Sequence, residues 1–156
     1  MSEIRGALRR RAIALLTLVA SVLLATAGST SAANGSWHLF GGGTADLSQV
    51  AFNVRIDGSG VAKGSFECLM AGRSAFSLSP FGLERIMAVH AWPTNGSVSG
   101  PLVTFEGPGQ LIADGQKLPI EVEVWANAST QQFELTIVGL GGPPVETLET
   151  GHISLR

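Results

Sequence analysis

Apolar residues recur at every second position through Val50-Ala51-Phe52-Asn53-Val54-Arg55-Ile56-Asp57. That is the period at which strand side chains return to one face, so Val50, Phe52, Val54 and Ile56 predict a buried face and Asn53 and Arg55 a wet one. Asp57-Gly58-Ser59-Gly60 follows, with two residues free to take positive φ, and a new run starts at Val61, which predicts a hairpin. Within that run Phe66, Cys68 and Met70 share alternate positions and are expected to point inward together. The same pattern returns in Ile120-Glu121-Val122-Glu123-Val124-Trp125-Ala126, with Glu121, Glu123 and Trp125 on the outward face, and Asn127 to Gln132 turns it into Phe133-Glu134-Leu135-Thr136-Ile137.

Strand composition bounded by Pro and Gly also marks Leu102 to Glu106 and Ile86 to Trp92. Leu83 to His90 could also be written as helix, but the turn-rich flanks at Ser77 to Gly82 and Pro93-Thr94-Asn95-Gly96 favour strand. Trp37 to Phe40, Gly64 to Met70, Ser74 to Ser79 and Gly151 to Leu155 complete about eight strands joined by short connections. The expectation is an all-β antiparallel meander. It can bury one face as an up-and-down barrel or as a β-sandwich, and the barrel is favoured because successive hairpins leave no long crossover.

The first thirty-three residues follow a different rule. Arg9-Arg10-Arg11, the apolar run Ala12 to Ala27 and the small residues Ser31-Ala32-Ala33 have the layout of a secretory signal peptide, with an apolar segment short for a membrane span. A signal-peptide helix over 1–33, cleavage between Ala33 and Asn34, and a single all-β domain over 34–156 are expected. The protein is then secreted or held in the cell envelope, with no membrane association after cleavage. Of the chain's formal net charge of −2, removal of Glu3, Arg5, Arg9, Arg10 and Arg11 leaves six basic and eleven acidic side chains, a net of −5. Arg55, Lys63, Arg73, Arg85, Lys117 and Arg156 stand singly along the sequence, which argues against nucleic acid as partner. One cysteine, Cys68, allows no internal disulfide and reads as a small buried hydrophobe.

The candidate chemistry is sparse. There is no Gly-x-Ser-x-Gly, and Gly96-Ser97-Val98-Ser99-Gly100 reads as a turn. His38, His90 and His152 lack metal-ligand spacing, so neither a metal nor a cofactor is expected. Gly41-Gly42-Gly43 has no Lys-Ser/Thr after it and reads as a flexible turn or bulge. Asn34, Asn95 and Asn127 each begin an Asn-x-Ser sequon, read as turn chemistry. Trp125, on the same face as Glu121 and Glu123, is the one outward aromatic that could meet a sugar or a protein partner.

Gly41-Gly42-Gly43, Phe52-Asn53-Val54, Gly64-Ser65-Phe66-Glu67-Cys68, Phe105-Glu106-Gly107-Pro108-Gly109, Val122 to Ala126, Phe133 to Ile137 and Gly151 to Leu155 fall in an order that resembles the post-COAP family. This is a family of small secreted bacterial β domains found beside choice-of-anchor modules. The chain has Asn127 where the family usually has Asp, and a longer middle between Arg73 and Val103. The resemblance implies an exported all-β domain and supplies no catalytic residues or cofactor. The leading expectation is a non-catalytic extracellular module whose partner is a protein or carbohydrate. The alternatives are a binder of small apolar ligands in a barrel interior, and a hydrolase or isomerase assembled from His90, His152 and a carboxylate.

Overall fold

A computed structural model describes residues 35–71, 86–113 and 115–156. The expected signal peptide, its cleavage point at Ala33 and Asn34, and the strand expected over Ser74 to Ser79 lie outside the described residues. Nine strands are present: β1 (Trp37–Ala45), β2 (Gln49–Ile56), β3 (Ala62–Ala71), β4 (Ile86–Ala91), β5 (Asn95–Ser99), β6 (Leu102–Ala113), β7 (Gln116–Asn127), β8 (Gln132–Ile137) and β9 (Glu146–Leu155). Among the described residues there is no helix, so Ile86 to Ala91 resolves as strand.

All nine strands form one antiparallel sheet in the order β4-β3-β2-β1-β9-β8-β7-β6-β5, and β4 also pairs with β6, which closes the sheet into a ring. β4 and β5 act as one interrupted strand. Met87 to Ala91 pair with Ala113 to Gly109, and Asn95 to Ser99 continue along β6 against Glu106 to Leu102. The interruption at Trp92 to Thr94 sits opposite Gly107 and Pro108, where the Trp92 N–H donates to the Pro108 carbonyl. A Cβ on Gly107 would lie 2.5 Å from the Trp92 carbonyl oxygen, so only glycine fits under the bend. Counted this way the ring has eight members, each hydrogen-bonded to its neighbour in sequence, and β1 joined to β9.

The period-two pattern explains which side faces in. Val50, Phe52, Val54 and Ile56 are buried while Ala51, Asn53 and Arg55 are exposed, and β7 does the same with Val122, Val124 and Ala126 against Glu121 and Glu123. Phe66, Cys68 and Met70 all point inward, as their spacing requires. Four phenylalanines meet inside the ring. Phe52 lies 5.2 Å from Phe66, 6.5 Å from Phe105 and 5.8 Å from Phe133 by ring centroid, the last two edge to face, the arrangement that aromatic quadrupoles favour.

The Asp57 turn forms as expected. Its carboxylate accepts the backbone N–H and hydroxyl of Ser59 and the N–H of Val61, and the Ser59 hydroxyl first among these holds its pKa below the ordinary value. Three turn expectations are corrected. Gly41-Gly42-Gly43 lies within β1, where the strand is squeezed between β2 and β9: a Cβ on Gly43 would fall 1.8 Å from the Thr150 carbonyl oxygen. Gly41 and Gly42 take positive φ, 115° and 149°, and the register with β9 shifts between Thr44 and Ala45. Asn95 to Ser99 is strand β5, and the reversal comes at Gly100 and Pro101. Of the sequons, Asn127 caps a turn by accepting the N–H groups of Ser129 and Thr130, whereas Asn95 is inside a strand and Asn34 lies outside the described residues.

One buried acid was not legible in the pattern. Glu146 is 0 % exposed at the start of β9, and its carboxylate accepts the Leu47 N–H and the Ser48 hydroxyl. Asp46 accepts the Thr147 N–H in return. The β1–β2 turn and the head of β9 are thereby clasped to each other, and the buried carboxylate has the hydrogen bonds its burial demands.

Candidate functional site

Cross-strand register builds the outer face of β5 to β8 row by row. Paired residues in an antiparallel sheet share a face, so Ser97, Thr104, Trp125 and Glu134 form one row and Asn95, Glu106, Glu123 and Thr136 the next. Between these rows runs an open groove of about 550 Å³ that Trp125 lines together with Glu106, Glu123 and Glu134. Trp125 is half-buried, not fully exposed as its sequence position suggested, and its indole N–H donates to a Glu134 carboxylate oxygen at 2.6 Å. That bond fixes the ring on the outer surface.

The groove is acidic. Glu106 and Glu123 stand directly opposite each other, an arrangement that like charges disfavour, and among the described residues no Lys or Arg lines the groove. Asn95 donates to Glu106 at 3.3 Å, and the hydroxyls of Ser97 and Thr104 bond each other at 2.7 Å. The assembly offers an anchored aromatic edge, three carboxylate acceptors and hydroxyl groups, which suits hydroxyl-rich or cationic groups. Of the residues singled out by sequence, the structure brings Trp125 and Glu123 into this groove. Glu121 is on the same strand face but pairs with Pro108, beyond the groove lining. Glu134 and Glu106 were missed, since only register reveals them as neighbours of Trp125.

The histidines do not converge. His90 lies 3.4 Å from Glu67 on β3, and His38 bonds Asn53 at 2.9 Å. His152 is exposed on β9, with β3, β2 and β1 between it and β4, so the assembly of His90, His152 and a carboxylate is not made. Among the described residues, no group of three or more His, Cys, Asp or Glu side chains is placed to hold a metal ion. Cys68 is 1 % exposed, and burial pushes its thiol up to about 12, opposed by a hydrogen bond with Ser48 and reinforced by the Glu146 charge.

The basic side chains are the larger correction. Scattered in sequence, Lys63, Arg55 and Arg156 are gathered by the fold with His38 into one cross-strand row on β3, β2, β1 and the end of β9. Arg73 and Arg85 lie outside the described residues, and Lys117 stands apart at the far end of β7. No family model, no curated protein and no solved structure matches the chain.

Proposed function

We propose that this chain is an exported bacterial β-module that works by surface contact and not by catalysis, in the medium or at the cell envelope. Its described part is read as a small up-and-down barrel with a filled interior. The observation that carries the reading is the Trp125 groove: an indole locked by Glu134 on the outer face, flanked by Glu106 and Glu123. Aromatic rings beside carboxylate acceptors suit a sugar, whose ring faces are apolar and whose hydroxyls donate. A neutral carbohydrate is therefore the favoured partner at this groove.

Export is supported by the basic, apolar and small-residue succession of residues 1–33. The outward positions of β2 and β7 carry Asn53, Arg55, Glu121 and Glu123, the reverse of the apolar band that a lipid-facing strand would need. The resemblance to the post-COAP family agrees with an accessory role and rests on its spaced glycines and strand aromatics. The mutual packing of Phe52, Phe66, Phe105 and Phe133 weighs against a ligand held in the interior.

The test uses the Trp37→Phe/Trp92→Phe variant, in which Trp125 is the remaining one of three tryptophans. Titration with a panel of neutral oligosaccharides and with a host envelope fraction is expected to shift Trp125 emission saturably, and Glu123→Ala is expected to weaken the response. Flat emission against both overturns the surface-contact reading. Cleaved sugar in the incubation overturns its non-catalytic part.

A further inference from the structure

The outer face opposite the Trp125 groove carries a row of three cations and a histidine. Register pairs Lys63 with Arg55 and Arg55 with His38, while His38 and Arg156 exchange backbone hydrogen bonds at 2.7 and 3.1 Å. Lys63, Arg55 and His38 lie outward, because Ala62, Val54, Ile56 and Leu39 beside them in sequence are buried, and Arg156 is exposed with its guanidinium over the Phe40 ring. Neighbouring strands lie about 4.8 Å apart, so the row crosses the surface in steps of that size over β3, β2, β1 and β9. Like charges placed directly opposite one another are disfavoured, yet among the described residues none of Lys63, Arg55 and Arg156 is ion-paired to a carboxylate. Asp57 lies near enough to Lys63 for the two charges to interact, and its Oδ1 accepts from Ser59 and Val61. The adjoining row supplies hydrogen-bonding groups, with Ser65, Asn53 and Ser154 on either side of Phe40.

We propose that this row is a binding site for a linear acidic polysaccharide, separate from the Trp125 groove. A glycan with one carboxylate on each sugar ring repeats its charge at an interval comparable to the strand spacing, so successive carboxylates meet successive strands. Arg55 and Arg156 present planar forks suited to carboxylates, Lys63 a point charge, and Asn53, Ser65 and Ser154 face the sugar hydroxyls. Nucleic acid fits the surface less well. Duplex DNA carries a charge about every 1.7 Å along its axis, far denser than this row. Single strands need aromatic faces for their bases, and the one aromatic here, Phe40, is already engaged by the Arg156 guanidinium at 4.9 Å and by the His38 ring at 5.0 Å. The net charge of −5 expected for 34–156 also opposes indiscriminate attraction of polyanions, so any binding must be local to the row.

The full chain, recovered from its producing host, is titrated with polygalacturonate, dextran and a single-stranded oligothymidylate at low and at physiological salt. Polygalacturonate is expected to bind and to weaken as salt rises, and dextran not to bind at this row. Arg55→Gln/Lys63→Gln is expected to lose about tenfold or more in polygalacturonate affinity, as removal of two charge contacts implies. Lys117→Gln, a cation off the row, should bind as the parent does. Matching melting curves establish that each variant is folded, and single Arg55→Gln and Lys63→Gln chains replace the double variant if it is not. Absence of polygalacturonate binding, an unchanged affinity in the row variants, or tighter binding of the oligonucleotide overturns the proposal. Because Trp125 emission reports the groove alone, failure here leaves that separate reading standing.

Discussion

The Cys68 thiol lies inside the ring between the inward side chains of Phe66 and Met70, where burial pushes it up to about 12 from an ordinary 9.0. Reactivity belongs to the thiolate, so the folded protein at pH 9 is expected to resist iodoacetamide while the urea-unfolded chain is alkylated. Mass spectrometry of the two samples reads this directly, and rapid labelling of the folded chain contradicts the burial. The linkage has a definite sign. Between the ordinary and the raised value the unfolded chain releases the thiol proton and the folded chain keeps it, so this group's contribution to stability is complete below pH 9 and declines as pH rises towards 12. The inward placement of Cys68 was legible from its alternation with Phe66 and Met70. The Ser48 and Glu146 groups beside it were not, because they come from a turn and a distant strand, and neither has a pattern of its own.

At the scale of elements, the least regular seam is between β8 and β9, where only Gln132 with Thr147 and Phe133 with Glu146 pair as strand residues. A side chain takes over where the ladder stops. The Gln131 amide accepts the Ile153 N–H at 2.7 Å, donates to the Ile153 carbonyl at 3.0 Å and donates to the Ala128 carbonyl, with Gln131 itself at φ 59°. Gln131→Ala is expected to speed hydrogen exchange at the Ile153 amide by about fivefold or more, since a net hydrogen bond contributes about 1 kcal/mol, while amides of β2 and β3 keep their protection. An unchanged Ile153 rate would show that the seam does not depend on this side chain. The hairpins at Asp57 and Asn127 could be read locally, because the turn residues and both strands are contiguous. The lengths of β1 and β6 could not: Gly41-Gly42-Gly43 and Gly107-Pro108-Gly109 look like chain breaks until the closeness of neighbouring backbones explains their glycines.

For the molecule as a whole, the phenylalanine cluster is the common support of both halves of the ring, with Phe52 meeting rings from β3, β6 and β8. Phe52→Ala is expected to cost about 3–5 kcal/mol in urea unfolding, the range for deleting a buried aromatic, and a loss below about 1 kcal/mol would mean that the interior is not packed as described. All-β class and strand order were legible because burial imposes its period on each strand separately. The two charged surfaces were not, since residues 38, 55, 63 and 156 become neighbours only through register, as do 106, 123 and 134. Ring order sets the centres of these surfaces about four strands apart, so a molecule held by its cations turns the Trp125 groove away from whatever holds it. The partnership of β1 with β9 also has a temporal side. The ribosome makes β1 first of these strands and β9 last, so throughout synthesis the earliest strand waits with one edge unmatched, and closure is a late, long-range event. A sheet built in this order keeps its ring open until β9 has been made, so the seam between β1 and β9 cannot template the pairing of the strands that come between them.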